Sequence, residues 1–154
     1  MSSKPSSAPL HWEIESTTMA VEMLSRQIMS AVREAGFEEG RQFAIHLALE
    51  EALVNAVHHG NKGDPSRKVI VDCLIDDEKF DITISDQGPG FDPDSVPDPR
   101  CPENLYKCSG RGVLLIYAYM DKVEFSDSGS TLRLVKYRHE EDAGPRDIPP
   151  TCGE

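Results

Sequence analysis

Three short runs in this chain combine residue types and spacings that can do chemistry. Asp86-Gln87-Gly88-Pro89-Gly90 follows an apolar stretch. A carboxylate at a strand end can accept a hydrogen bond from an amino group, and glycines at alternate positions let a ligand approach the backbone closely. The same residues also make an ordinary turn. Ser109-Gly110-Arg111-Gly112 precedes the apolar run from Val113 to Met120. Glycines at a helix start expose N–H groups where the helix dipole favours an anion such as phosphate, with Arg111 and nearby Lys107 adding positive charge. A lone pair of spaced glycines is equally a plain loop-to-helix junction. Glu51 and Asn55 stand one helical turn apart, so both project from the same side, with His59 a turn beyond. A solvated helix face carries such pairs too.

The elements that must position these residues are legible in the pattern. Leu10–Glu15 alternates apolar with polar residues as a half-buried strand does, and a helix follows from Ser16 or Thr17 to about Ala35, closed by Gly36. A second helix from about Glu38 to His59 carries two adjacent stripes, Ala44, Ala48, Ala52, Ala56 and Ile45, Leu49, Leu53, Val57. Together they form a broad face suited to packing on a sheet. Gly60, Asn61, Gly63, Asp64 and Pro65 stop it in a turn-rich loop. Strands at Lys68–Ile75 and Phe80–Ser85 flank a polar turn, a long proline-containing loop runs to Ser109, and a helix spans about Gly112 to Met120. Strands at Lys122–Ser126 and Thr131–Arg138 close the pattern. This order predicts an α+β fold in which helices cover one face of a mainly antiparallel sheet.

Composition narrows the classes of partner. The chain has 154 residues, 38% hydrophobic and 28% charged, with a formal net charge of -11. Such acidity argues against direct nucleic-acid binding, which rewards clustered Lys and Arg. No apolar run approaches the roughly 20 residues of a membrane helix, and the N-terminus lacks the apolar stretch of a secretory signal. A cytoplasmic protein without a membrane partner is expected. Cys73, Cys101, Cys108 and Cys152 show no metal-binding spacing and are expected to be reduced thiols. His58 and His59, adjacent on a helix, point about 100° apart and do not chelate one ion together. Residues 1–9 and 139–154 are rich in Ser, Pro, Gly or charge and read as a disordered leader and a disordered acidic tail around a domain at 10–138.

In this order and spacing the three runs resemble the motifs of the GHKL ATP-binding superfamily, which includes gyrase, histidine kinases and heat-shock-90 chaperones. Glu51–Asn55 resembles its asparagine box, Asp86–Gly90 its first glycine box and Gly110–Gly112 its second. The stretches E-A-L-V-N-A-V-H-H-G-N, D-Q-G-P-G-F-D, S-G-R-G-V-L-L-I-Y-A-Y-M-D-K-V and G-S-T-L-R-L-V-K are most similar to the anti-sigma factor serine/threonine kinases, over roughly residues 10–138.

The resemblance implies a two-layer α/β sandwich of the Bergerat type that binds ATP with Mg2+. Asn55 would hold the metal through its amide oxygen, a hard ligand. Asp86 would accept from the adenine amino group, and Gly88 and Gly90 would line base and ribose. Gly110, Arg111 and Gly112, with Lys107, would attend the phosphates, and Asp92–Ser109 would form a lid. Thr131 would stand near the adenine, and Glu51 would be the general base. It further implies a homodimer that sequesters a sigma factor and phosphorylates an anti-sigma-factor antagonist on Ser or Thr. Two alternatives stay open: an ATP-binding interaction switch with negligible phosphotransfer, and a detached ATP-binding domain of the histidine-kinase type. A complete sensor histidine kinase is not expected, since the sequence shows no two-helix phosphoacceptor pattern ahead of the ATP-binding part.

Overall fold

Five segments alternate apolar and polar residues, and all five are strands in a computed structural model of the chain. That structure describes residues 9–88, 110–126, 130–145 and 147–148, with only the backbone for 110–113. The strands are β1 (Leu10–Glu15), β2 (Lys68–Ile75), β3 (Lys79–Ser85), β4 (Lys122–Ser126) and β5 (Thr131–Tyr137). They form one sheet in the order β1-β2-β3-β5-β4, every pair antiparallel. Alternation puts Val69, Val71 and Cys73 of β2, Phe80, Ile82 and Ile84 of β3, and Leu132 and Leu134 of β5 on one buried face. The opposite face carries Asp72, Asp81, Glu124 and Arg133. There the Arg133 guanidinium donates to both Asp81 carboxylate oxygens (3.0 and 2.7 Å) and to Glu124 (3.3 Å).

Among the described residues three α-helices pack on the apolar face: α1 (Thr18–Glu34), α2 (Glu39–Val54) and α3 (Gly110–Tyr119). α1 starts where the Thr17 hydroxyl accepts from the Ala20 N–H (3.1 Å), and it ends at Gly36, whose φ of +82° favours a residue without Cβ. α2 is the central helix, packed against both α1 and α3. Both of its expected stripes are buried, from Ala44 and Ile45 to Ala56 and Val57. Among the described residues no helix is long and apolar enough to cross a membrane.

Three details differ from the sequence expectation. The second helix keeps α geometry only to Val54, and Asn55–Gly60 continues it as a π-helical turn. α3 begins at Gly110, so the spaced glycines lie inside its first turn. The third is the start of the expected disordered tail. Glu140–Asp142 forms a 3-10 turn, Ala143 is buried, and Asp147 fastens to β4. The Asp147 carboxylate accepts from the Val123 N–H (2.8 Å) and its own N–H donates to the Asp121 carbonyl (3.2 Å). A carboxylate at the right distance from an edge strand supplies the order that composition does not announce. The leader at 1–8 and the end of the tail at 149–154 lie outside the described residues.

Candidate functional site

The end of α2 is the keystone of the site. Glu51 lies in its last α-helical turn and Asn55 opens the π turn, both half-buried beside the buried Ala52 and Ala56. The widened turn closes with the Asn61 N–H donating to the Ala56 carbonyl, five residues back (2.9 Å). Single π turns inside α-helices commonly mark functional sites, because they redirect the residues that follow. Here the residue redirected is Gly60, which meets the turn after β3.

That contact is tight enough to dictate sequence. A Cβ on Gly60 would collide with the Asp86 carboxylate, and a Cβ on Gly88 would collide with the Gly60 carbonyl. Glycine is therefore required at both positions for steric reasons, independently of any ligand. Asp86 leaves β3 with its N–H donating to the Ser130 carbonyl (2.9 Å), while its carboxylate accepts from the Gly88 N–H (2.9 Å). Burial pushes the Asp86 carboxyl above its ordinary pKa, partly opposed by the Gly88 N–H and the Arg67 charge. A half-buried carboxylate held at a strand end, with one bond to its own turn, is a poised acceptor.

Behind this turn lies a closely bonded polar cluster. Asn61 is fully buried (0%). Its amide nitrogen donates to Ser16 Oγ (2.8 Å) and to the Lys68 carbonyl (3.0 Å). Its Oδ1 accepts from the Gln87 N–H (2.7 Å). The Gln87 side chain in turn accepts from the Lys68 N–H (2.6 Å), and Ser16 Oγ donates to the Arg67 carbonyl (2.7 Å). Asn61, Gln87 and Ser16 were not singled out by sequence. Asn beside Gly60 reads as turn chemistry, and only burial distinguishes a bridging amide from an exposed one.

The structure describes part of the expected set. Asp86 and Gly88 meet Gly60 at the close of the π turn that Asn55 opens, and α3, which starts at Gly110 and contains Arg111 and Gly112 in its first turn, packs on α2. The Arg111 side chain, Gly90, Lys107 and the lid Asp92–Ser109 lie outside the described residues. Thr131 lies beside the strand end that leads into Asp86. It pairs with Ser85, and their hydroxyls bond at 3.1 Å on the face opposite the helices, since Ile84 and Leu132 point inward. Its hydroxyl therefore turns away from the helix side, and Ser130, through its carbonyl, is the β5-end residue that touches Asp86. Among the described residues no cluster of three or more His, Cys, Asp or Glu could cage a metal. His59 is exposed, and partial burial with the neighbouring His58 and Lys62 lowers its pKa.

Comparison with known proteins agrees with this geometry. The histidine kinase-like ATPase domain matches residues 14–136. A serine-protein kinase RsbW of Listeria monocytogenes serotype 4a is 29% identical over 125 residues, 76% of this chain and 80% of that protein. An anti-sigma F factor of Oceanobacillus iheyensis is 36% identical over 84 residues, 52% of this chain and 56% of that one. The solved RsbU and RsbW domains of a Mycobacterium tuberculosis protein superpose with a TM-score of 0.57 at 16% identity. They cover 96% of this chain, which spans 35% of that longer one and shares its fold. With the match running from β1 to β5 through every described part of the site, the chain belongs to the histidine kinase-like ATPase domain family, whose nucleotide is ATP.

Proposed function

We propose that the chain is an ATP-dependent protein serine/threonine kinase of the anti-sigma type, which phosphorylates an anti-sigma-factor antagonist and sequesters a sigma factor as a homodimer. The carrying observation is the junction at Gly60. It sets the close of the π turn, which follows the helix carrying Glu51 and opens at Asn55, against the turn bearing Asp86 and Gly88, and this supports the reading. Relatives named serine-protein kinase and anti-sigma F factor support the choice of substrate and partner.

The residues have separable tasks in this reading. Asp86 accepts from the adenine amino group, and Gly88 with Gly90 leaves room for base and ribose. The first turn of α3, with Gly110, Arg111, Gly112 and the preceding Lys107, receives phosphate on its N–H groups and positive charge. Mg2+ fits the donor set in one respect: it usually keeps waters and substrate phosphates as ligands and takes only one or two from protein. A single amide oxygen from Asn55 meets that need without an acidic cage. When bound, the ion neutralises charge on the phosphates. Glu51 takes the proton from the attacking Ser or Thr hydroxyl as its oxygen bonds to the γ-phosphorus and the bond to the β,γ-bridging oxygen breaks, releasing ADP.

The test is transfer from labelled ATP, with Mg2+, to a candidate antagonist protein. Glu51→Ala is expected to lower kcat by about 10²–10⁴-fold with little change in ATP affinity, as loss of a general base does. Equal turnover by that variant would remove Glu51 from the chemistry. Tight ATP binding with no transfer by the wild type would instead favour an ATP-responsive binding switch.

A further inference from the structure

We propose that Asn61 is a positioning residue for nucleotide selection: through Gln87 it fixes the Asp86 carboxylate, and so sets the preference for a 6-amino over a 6-oxo purine. This deepens the adenine-binding reading of Asp86 and rests on it.

The geometry is specific. An acceptor selects an amino group only if it is held still, because a mobile carboxylate relaxes to suit other partners or water. Asp86 emerges from β3 with one backbone anchor behind it, the bond from its N–H to Ser130. Ahead of it the chain must be held as well, and the first N–H beyond it, that of Gln87, ends on Asn61 Oδ1. Asn61 is in turn tied to two further segments, to Ser16 between β1 and α1 and to Lys68 at the head of β2. The β1–α1 connection and the head of β2 thus meet at Asn61, which holds the N–H next to Asp86.

The bond inventory leaves Asn61 no other task. Both amide hydrogens and one carbonyl lone pair are used, the side chain is fully buried, and its partners are Ser16, Lys68 and Gln87. It acts through Gln87 and Gly60. The Asn61 N–H closes the π turn that delivers Gly60 against the Asp86 carboxylate, so the same residue fixes both the chain that carries the acceptor and the surface on which it rests.

The experiment compares ATP with ITP, which carries a 6-oxo group, in competition against a fluorescent ADP, for wild type, Asp86→Asn, Asn61→Ala and Ser16→Ala. Unfolding midpoints are measured alongside. Wild type is expected to prefer ATP by roughly 10- to 100-fold, the worth of one hydrogen bond to a charged group. Asn61→Ala is expected to lose about 10-fold of that preference, mainly by weakening ATP, and Ser16→Ala a smaller part with the fold intact. A purely structural role would weaken both nucleotides equally and leave the ratio where it was. That result, in Asn61→Ala or in Ser16→Ala should the former not fold, overturns the proposal while Asp86→Asn abolishes the preference. If Asp86→Asn also leaves the preference untouched, or wild type shows none, the adenine reading itself fails and the proposal falls with it.

Discussion

At the scale of single residues, the site is built from groups that cost stability. Burial raises the Asp86 carboxyl above its ordinary 3.8, so the folded chain holds that proton more tightly than the unfolded one. The contribution of a raised acid is full below the unfolded pKa and is lost as pH rises through the folded one. At neutral pH the ionised carboxylate is therefore a net cost. Asp86→Asn keeps an acceptor for the Gly88 N–H and removes the buried charge. It is expected to melt higher than wild type at pH 7 and to lose that advantage in acid below the ordinary carboxylate range. The same variant is expected to bind ATP at least about 10-fold more weakly, since an amide cannot match a charged acceptor. Scanning calorimetry at two pH values, with and without nucleotide, reads both effects. A lower melting point at pH 7 would show that the carboxylate is there for the fold.

At the scale of elements, the far end of α3 is firmly fixed. Asp121 is 3% exposed, directly after that helix. It accepts from the Tyr137 N–H (2.8 Å) and pairs with Lys136 (3.7 Å), whose ammonium also donates to the Tyr119 carbonyl (2.6 Å). A cation on a terminal carbonyl suits the helix dipole and anchors α3 to β5. Removing one member of a buried pair strands the other charge. Asp121→Ala is therefore expected to cost about 3 kcal/mol in urea unfolding. A loss below about 1 kcal/mol, the range of exposed pairs, would place the pair effectively in solvent.

At the scale of the whole molecule, two fastenings join distant chain segments. Arg138 donates to the carbonyls of Ala35 (2.8 Å), Asp76 (3.2 Å) and Asp77 (2.8 Å), with its charge 4.3 Å above the Phe37 ring. It joins the end of α1, the β2–β3 turn and the end of β5. The second is the segment after β5. Val135 lies on the face opposite the helices yet is buried, as is Ala143, and Asp147 occupies the outer edge of β4 while Lys122 donates to the Pro145 carbonyl (2.9 Å). Covering an edge strand is a common defence against unwanted strand pairing. A chain ended after His139 is expected to lose about 1–3 kcal/mol of stability, from three hydrogen bonds and some apolar cover. It is also expected to self-associate more readily in sedimentation, and unchanged stability would remove the segment from the fold.

The sequence by itself determined the element order, the buried face of α2 and the three runs proposed to bind nucleotide. Periodicity, glycine placement and residue type are local properties, and Ala44 to Val57 or Asp86 to Gly88 declare them within a few positions. Tertiary structure decided what depends on pairing across the chain. Only the π turn at Asn55–Gly60 shows why glycine suits position 60, because the obstacle is a carboxylate in the turn after β3. Only the register of β3 with β5 turns the Thr131 hydroxyl toward Ser85 and leaves Ser130 facing Asp86. Asn61 is the clearest case: a turn residue by type, it becomes a buried bridge because Ser16, Lys68 and Gln87 arrive around it from three separate parts of the chain. A hydrogen bond depends on where its partner is, and that position is set by the folded chain as a whole.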